Sequence, residues 1–198
     1  QNISVENLRC DAPPSSMTNQ PLVTVIMTVY GRDEYLDVAI ESILNQTHQN
    51  IELIVVDDCS PDDAFEYLKE RASGEPRLKA MQVEKNGGTY CAKNSAISVA
   101  NGEYIAFMDS DDWTHPQRIE RQLSAIQDTP FRAVCHSYFR VNEFGDIFYK
   151  GVGAIRLACI SLLAKRSVFE KIGYFDSMRV GADTEFIERI KATFGDDA

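Results

Sequence analysis

The sequence lacks the paired cysteines on which zinc ribbons, thioredoxin-type sites and disulfide-rich secreted domains depend. No Cys-x-x-Cys pair occurs, and an odd number of cysteines at low density fits a reducing compartment. We therefore expect a cytoplasmic location. The five cysteines are far apart in the chain: Cys10, Cys59, Cys91, Cys135 and Cys159.

Several sequence signatures of other enzyme classes are also missing. There is no Walker A loop, no Gly-x-Gly-x-x-Gly and no Gly-x-Ser-x-Gly elbow. The chain has three histidines, which do not have the spacing of metal ligands: His48, His115 and His136. The sequence therefore argues against the nucleotide, nucleophile and soft-metal sites that these motifs build.

Long hydrophobic runs are absent as well. The longest apolar stretches, 22–30 and 152–164, are shorter than the ~20 residues that a membrane span needs. We therefore expect no membrane span in this chain. The chain starts at Gln1 rather than at methionine, so we expect it to be a piece of a longer protein with further domains or a peripheral membrane attachment elsewhere.

Positive charge is scarce. The chain has 20 Lys and Arg against 30 Asp and Glu, which gives a formal charge of −10. Binding to nucleic acid needs a basic face, so a nucleic-acid partner is not expected. A nucleotide ligand remains compatible, because a metal ion can neutralise its diphosphate locally.

A length of 198 residues with 44% apolar residues fits one globular domain.

Strands and helices alternate four times in the first half of the chain. Apolar, β-branched runs predict buried strands at 22–29, 51–56, 78–83 and 104–108. Apolar residues at helical spacing, or a helix-starting proline, predict helices at 36–44, 61–71, 90–100 and 116–127. This order predicts an α/β fold with a mainly parallel, Rossmann-like sheet flanked by helices.

The second half predicts a mixed α+β arrangement. Segments 132–141 and 146–150 flank a hairpin turn at 142–145, and a short strand follows at 159–164. A short helix at 168–172 ends at Gly173, and a last helix carries Phe186, Ile187, Ile190 and Phe194 on one face. Residues 1–20 contain breakers without apolar periodicity, so we expect an N-terminal arm there and the folded domain at 21–198.

The ends of the predicted strands carry the candidate functional residues. Ligands of open α/β sheets bind beyond the carboxyl ends of the strands. Carboxylates that cluster there repel one another unless a cation or donor lies among them, which predicts a metal or polar ligand. In strand order, the strand ends supply Thr28 and Tyr30, then Asp57 and Asp58, then Gly87 and Gly88, then Asp109, Ser110, Asp111 and Asp112.

The segment 109–112 is the most informative of these. Side chains alternate in an extended chain, so Asp109 and Asp111 are predicted to project to the same side. Two carboxylates on one side can hold a hard divalent cation. The competing interpretation is a solvated acidic turn that caps the next helix.

Each remaining candidate also has a plain structural interpretation, and the residues alone leave both open. Asp57 and Asp58 fit a turn that caps the helix at Pro61, and Lys93 fits a solvated helix face or a positive group near a phosphate. Tyr30 fits a core aromatic or a ring that stacks on a base, and Gly88 fits a turn with positive φ or a close backbone approach to a ligand. Asp183 fits a helix N-cap, with Glu185 as a favourable charge in the first turn.

Taken together, these motifs resemble the family 2 glycosyltransferases, inverting enzymes of the GT-A fold that use nucleotide-sugar donors. The resemblance covers nearly all of the predicted domain. The segments that carry it are 21–30, 42–47, 54–60, 86–94, 100–112 and 165–185.

The resemblance implies a role for each residue. Thr28 and Tyr30 would lie against the base and ribose of a nucleotide, which we expect to be uridine-based. Asp58 would bond the base with support from Asp57, and Lys93 would lie near the donor. Asp109, Asp111 and Asp112 would be ligands of Mn²⁺ or Mg²⁺ against the diphosphate, and Asp183 would be the catalytic base. Gly88, Asp109 and Ser110 are further candidates for contact with the donor.

The implied reaction moves a sugar to a saccharide or another hydroxyl acceptor, in polysaccharide or glycoconjugate synthesis. The Gln-x-x-Arg-Trp motif of processive synthases is absent, which argues against a cellulose- or chitin-type polymerase. Ala182 stands where the family often has an acidic residue before the base, so Asp183 and Glu185 both remain candidates for the base.

Three alternatives compete with this assignment. A haloacid-dehalogenase-type phosphohydrolase also places Asp-x-Asp after a buried strand. In that class the motif normally lies on the first strand and has Thr or Val two positions after the second Asp, where this chain has Trp113. A receiver-like signalling domain with Asp57 or Asp58 as phosphoacceptor conflicts with the mixed second half. A related nucleotide-binding domain without catalysis fits every motif.

Overall fold

The computed structural model describes residues 12–13, 20–141, 146–148 and 156–195. Most of the predicted arm and the predicted turn at 142–145 lie outside these residues. The strands are β1 (Val23–Val29), β2 (Ile51–Asp57), β3 (Leu78–Gln82), β4 (Tyr104–Asp109), β5 (Ala133–Tyr138), β6 (Arg140–Val141), β7 (Ile147–Phe148) and β8 (Arg156–Lys165). The helices are α1 (Leu36–Leu44), α2 (Ala64–Gly74), α3 (Thr89–Val99), α4 (Arg118–Ile126), α5 (Arg166–Ile172) and α6 (Ala182–Phe194).

The main sheet has the strand order β3-β2-β1-β4-β8-β5. Strands β3, β2, β1 and β4 are parallel, and β8 is antiparallel to both β4 and β5. The chain moves outward from β1 to β3 and then returns to place β4 on the other side of β1. This reversal creates a crevice beyond the carboxyl ends of β1 and β4, where ligands of such sheets bind.

Alternation along the strands divides the core into two layers. Val25 and Met27 of β1 pack on the side of α1, α2 and α4, whereas Ile26 packs on the side of α3, α5 and α6. Because successive side chains of a strand point to opposite faces, this parity also decides which strand-end residues face α3.

An aromatic cluster holds α6 on the second layer. The rings of Phe169 and Phe186 stack with their centroids 5.1 Å apart, and Phe107 of β4 lies edge-on to Phe169 at 6.1 Å. Such pairs contribute about 0.5–1.5 kcal/mol each beyond their burial. The cluster therefore fixes the start of α6 relative to the end of β4.

Two expectations about single elements are wrong. Helix α2 begins at Ala64 rather than at Pro61, and its N-cap Asp63 makes no side-chain capping bond. The segment predicted as one strand at 132–141 is divided: β5 joins the main sheet beside β8, and β6 pairs with β7 in a separate two-stranded ribbon. Phe139, which lies between β5 and β6, is exposed where the chain leaves the sheet.

Within the described ranges, no helix has both the length and the apolar character that crossing a membrane requires.

Candidate active site

The first turn of α3 lies at the centre of the candidate site. In the sheet register, Thr28 of β1 pairs with Asp109 of β4, and Val29 pairs with Asp57 of β2. The three strands therefore end at the same level. By the alternation described above, Thr28, Asp58 and Asp109 face α3, and each of them contacts that helix or the turn before it.

Asp58 binds the turn that precedes α3. Its carboxylate accepts hydrogen bonds from the backbone N–H groups of Gly87 at 3.0 Å and Gly88 at 2.8 Å. The side chain is 4% exposed. Each oxygen keeps a second lone pair, which is available to a ligand.

Asp57 is buried and stabilises its own turn. Its carboxylate accepts hydrogen bonds from the backbone and side chain of Ser60 and from Gln82 Nε2 at 2.8 Å. Neither Asp57 nor Asp58 caps α2, so that part of the structural interpretation is wrong. The part that predicts a turn stabilised by Asp–backbone bonds is confirmed.

Two glycines allow the close packing of this turn. Gly88 is the N-cap of α3 and has φ +85°, as a turn glycine should. Gly87 needs its small size for another reason, because a Cβ there would lie 2.8 Å from Cβ of Cys91.

The end of β1 contributes one anchored and one exposed side chain. The hydroxyl groups of Thr28 and Thr89 are 2.7 Å apart, which ties β1 to the first residue of α3. Tyr30 is 63% exposed, so the interpretation as a core aromatic is wrong. An exposed ring at this position is available to stack on a planar ligand.

Three carboxylates meet after β4. Asp109, Asp111 and Asp112 each offer an oxygen within 4.8 Å of the others. The strand ends at Asp109, and the backbone N–H of Asp112 bonds the carbonyl of Asp109, so the cluster is built by a turn. The extended-chain argument for Asp109 and Asp111 is therefore wrong, although the two groups do come together. Ser110 lies half-buried in the same turn.

The environment of the cluster favours the neutral form of Asp112. Local desolvation, followed by the charges of Asp111 and Asp109, raises the pKa of Asp112 to about 6, although the residue as a whole is exposed. Hard oxygen donors with excess negative charge suit a divalent cation such as Mg²⁺ or Mn²⁺.

Lys93 supplies a positive charge beside the cluster. Its ammonium is 3.5 Å from Oδ1 of Asp109, and the residue is 3% exposed. The same group lies 5.7 Å from the ring centroids of both Tyr90 and Phe107. The alternative interpretation of Lys93 as a solvated helix residue is therefore wrong.

Asp183 reaches the site from the far end of the chain. It is the second residue of α6, and its Oδ1 accepts hydrogen bonds from Tyr90 Oη at 3.0 Å and from the backbone N–H of Thr184 at 2.9 Å. The N-cap of α6 is Gly181, so the prediction of Asp183 as N-cap is wrong.

Glu185 has a different environment. It forms an ion pair with Arg189 at 2.6 Å, and this hydrogen bond lowers the pKa of Glu185. Arg189 also donates to the carbonyls of Ile172 and Tyr174. Glu185 therefore helps to fasten α6 to the end of α5.

Three residues that shape the site were not predicted from the sequence: Tyr90 and the buried pair Arg118 and Gln122. The Arg118 guanidinium donates to the carbonyl of Phe107 at 2.6 Å and to Oε1 of Gln122 at 3.1 Å. Burial lowers the pKa of Arg118 to about 10, while the charges of Asp112 and Asp109 act in the opposite direction. Arg118 thus places a cation and a rigid anchor beneath the acidic turn.

The family model of glycosyl transferase family 2 matches residues 24–190. The glycosyltransferase GlyG of Streptococcus pneumoniae is 38% identical over 128 residues, which cover 65% of this chain and 42% of that protein. TuaG of Bacillus subtilis, whose name assigns it provisionally to teichuronic acid biosynthesis, is 37% identical over 113 residues, or 57% of this chain and 45% of TuaG. The chain thus spans less than half the length of these two relatives.

Solved structures show the same fold. The mannosyltransferase PcManGT from Pyrobaculum calidifontis, solved with GDP-Man and Mn²⁺, superimposes with a TM-score of 0.72 at 23% identity, covering 96% of this chain and 57% of that one. Staphylococcus aureus TarS 1–349 in complex with UDP-GlcNAc superimposes with a TM-score of 0.66 at 20% identity, covering 84% of this chain and 52% of that one. The α/β sheet and its flanking helices are accordingly of the GT-A type.

Proposed function

Because the chain belongs to glycosyl transferase family 2, we propose that it transfers a sugar from a nucleotide-diphosphate donor to a hydroxyl acceptor, with inversion at the anomeric carbon. One observation carries the proposal. Side chains from β1, β2, β4 and α6, which are far apart in sequence, all contact the first turns of α3 or the glycine turn before them.

The donor nucleotide would occupy the crevice at the ends of β1 and β2. Asp58 would accept a hydrogen bond from an N–H of the base. The Gly87 and Gly88 amides, and the turn that Asp57 stabilises, would hold the Asp58 carboxylate in place. Thr28, Tyr30 and Gly88 would line the base and ribose. We propose a uridine nucleotide, an assignment that the UDP-GlcNAc complex of a similarly folded protein supports.

The diphosphate would lie over the acidic turn. Asp109, Asp111 and Asp112 would hold Mn²⁺ or Mg²⁺, which stabilises negative charge on the departing diphosphate oxygen. Ser110 would lie beside the same phosphates. Lys93, which pairs with Asp109, would keep that carboxylate oriented and add positive charge beneath the donor.

We assign the base to Asp183 rather than to Glu185. Glu185 is held by Arg189, whereas Asp183 is linked through Tyr90 to the helix that also meets the donor residues. Asp183 would remove the proton of the acceptor hydroxyl as that oxygen attacks from the face opposite the diphosphate. Such general-base catalysis typically accelerates a reaction by ~10²–10⁴-fold.

The acceptor is a saccharide or another hydroxyl compound, and we place the reaction in polysaccharide or glycoconjugate synthesis on the cytoplasmic side. The biosynthetic name of TuaG supports that setting. The regions that the longer relatives possess in addition are further candidates for acceptor binding or membrane attachment.

Calorimetric titration tests donor binding. The chain is titrated with UDP, GDP, ADP and CDP, with and without Mn²⁺. We expect a preference for UDP that requires the metal, and loss of that requirement when Asp111 and Asp112 are both replaced by Asn. Indifference to all four nucleotides would instead favour a phosphohydrolase or signalling domain.

Turnover separates the two candidate bases. UDP release from a UDP-sugar is followed with water as acceptor and Mn²⁺ present. Asp183→Asn should abolish release and keep donor affinity within about twofold, whereas Glu185→Gln should retain release. Loss of donor binding in Asp183→Asn would identify a structural residue, and full activity in that variant would refute the base assignment.

A further inference from the structure

We propose that Tyr90 is the positioning residue for the base, holding Oδ1 of Asp183 so that Oδ2 receives the acceptor proton. This inference rests on the proposed function, because it presupposes that Asp183 acts as the base. It adds a residue that neither the motifs nor the family match assigns.

The carboxylate of Asp183 is held asymmetrically. The Tyr90 hydroxyl and the Thr184 N–H both donate to Oδ1. Within the part of the chain that the structure describes, no donor bonds Oδ2. Two donors on one oxygen fix the plane of the carboxylate and leave the second oxygen to act on a substrate.

The Tyr90 hydroxyl is itself well fixed. The residue is 7% exposed, and its ring centroid lies 5.6 Å from that of Phe175. One helical turn further along α3, Asn94 exchanges two hydrogen bonds with the backbone of Phe175, at 2.8 and 3.0 Å. Helix α3 therefore grips the segment before α6 at two points, and the base has little freedom to move relative to the donor residues.

Tyr90 is suited to donate rather than to accept. Desolvation, followed by the hydrogen bond and charge of Asp183, raises the pKa of Tyr90, and these effects outweigh the backbone N–H groups of Asp183 and Gly181. The hydroxyl therefore stays protonated at neutral pH. In the reaction, the acceptor oxygen forms its bond to the anomeric carbon, the bond to the diphosphate breaks with its electron pair on the diphosphate, and the acceptor proton moves to Oδ2.

The first experiment compares Tyr90→Phe with Tyr104→Phe. Both changes delete a hydroxyl from a tyrosine that is 7% exposed, but Tyr104 lies at the opposite end of β4. UDP release from a UDP-sugar gives kcat and KM, and calorimetry gives the affinity for UDP and Mn²⁺. We expect kcat of Tyr90→Phe to fall roughly 10- to 100-fold, the range for a hydrogen bond to a charged group, with KM and UDP affinity within about twofold. Tyr104→Phe should keep kcat.

The outcomes separate this inference from the function on which it rests. If Asp183→Asn abolishes release while Tyr90→Phe leaves kcat unchanged, the positioning role is wrong and the base assignment stands. If Asp183→Asn retains release, the base assignment itself fails. A parallel loss of kcat and UDP affinity in Tyr90→Phe would show a purely structural role and would also overturn the inference.

A second measurement does not depend on turnover. A double-mutant cycle of Tyr90→Phe and Asp183→Ala in denaturant unfolding reports the coupling of the two side chains. We expect the combined change in the unfolding equilibrium constant to differ at least roughly fivefold from the product of the single changes. Independent effects would show that the contact does not hold the carboxylate in solution.

Discussion

At the scale of single residues, carboxylates occur in two opposite environments at the two ends of the sheet. Glu52 is buried among donors: Lys79, the Thr24 hydroxyl, and the backbone and side chain of Asn101. Desolvation opposes its ionisation, yet these bonds together lower the pKa of Glu52 to about 2. Desolvation, followed by the like charges of Asp111 and Asp109, raises the pKa of Asp112 to about 6. The first environment stabilises the fold, and the second leaves charge for a cation to neutralise.

The environment of Glu52 predicts acid sensitivity. Its folded-state pKa lies below the ordinary value of 4.5, so its contribution to stability is present above that pH and is lost as the pH falls towards about 2. The lowered pKa corresponds to about 3 kcal/mol at neutral pH. We expect Glu52→Gln to reduce the free energy of unfolding at pH 7 and to flatten its decline between pH 5 and 2, measured by urea unfolding.

The control for this prediction is Glu66→Gln. Glu66 is a solvent-exposed partner of Lys69 on α2 and should change stability by less than about 0.5 kcal/mol. An unchanged acid profile in Glu52→Gln would show that Glu52 is not the source of the acid sensitivity.

Arg118 gives a second prediction at this scale. Arg118→Met would remove the guanidinium that donates to the carbonyl of Phe107, and it would leave Gln122 to donate alone to the carbonyl of Ser161. We expect a loss of roughly 2–4 kcal/mol. Arg121→Met removes an exposed guanidinium from the same helix and should stay within about 0.5 kcal/mol. Equal effects in chemical denaturation would contradict the anchoring role.

At the scale of elements, α3 connects the parts of the site. Thr89, Tyr90 and Lys93 on its first turns contact β1, α6 and β4, and the turn before it contacts β2. Any displacement of this helix therefore moves donor and base residues together. The glycine turn is the point at which such a displacement can be introduced.

We expect Gly87→Ala to weaken nucleotide binding. The new Cβ would lie 2.8 Å from Cβ of Cys91, so the turn must shift away from α3, and the hydrogen bonds to Asp58 shift with it. Overpacking of this kind costs roughly 1–3 kcal/mol. Gly74→Ala at the end of α2 meets no atom within 4 Å and is the matched control, expected to be neutral or slightly stabilising. UDP affinity by calorimetry is the measurement, and equal affinity in both variants would contradict the prediction.

The helices and strands also show which features of the fold can be predicted from the sequence alone. The bounds of α1 were predicted correctly because its apolar residues, from Leu36 to Leu44, repeat at helical spacing. The strands up to β4 were found from their apolar, β-branched runs, and the other helices up to α4 from apolar spacing or a proline, with the start of α2 misplaced. The division of 132–141 was missed because residues 133–138 pair with residues of β8 that lie 18 to 31 positions further along the chain, and local pattern carries no information on that partner.

For the site, the sequence predicted the strand-end residues but not the contacts that orient them. Arg118 and Gln122 could have been found, since they share the buried stripe of α4 with Ile119, Leu123 and Ile126. Tyr90 could not, because an aromatic residue at the start of a helix most often packs in the core. Its partner Asp183 lies 93 residues further along the chain.

At the scale of the whole molecule, ligand binding and global stability are linked. The site draws on β1, β2, β4, α3 and α6, so a bound nucleotide has to dissociate before the sheet can unfold. With UDP and Mn²⁺ at 100 times the dissociation constant, mass action adds about 2.7 kcal/mol. For a chain of this size we expect Tm to rise by about 5–10 °C in calorimetry. Mn²⁺ alone should have a smaller effect, and an unchanged Tm with saturating UDP would contradict a site built across these elements.

The position of the antiparallel strand β8 in the sequence also sets the order in which the parts of the site are synthesised. Every strand of the parallel half and every proposed donor residue lies between positions 23 and 112, whereas β8 joins that half only along 104–106 and the base arrives at 183. On the ribosome, the residues that grip the nucleotide therefore emerge first, and the residue that starts the chemistry emerges last. During synthesis, the donor-binding residues are therefore present before the catalytic base that transfers the sugar.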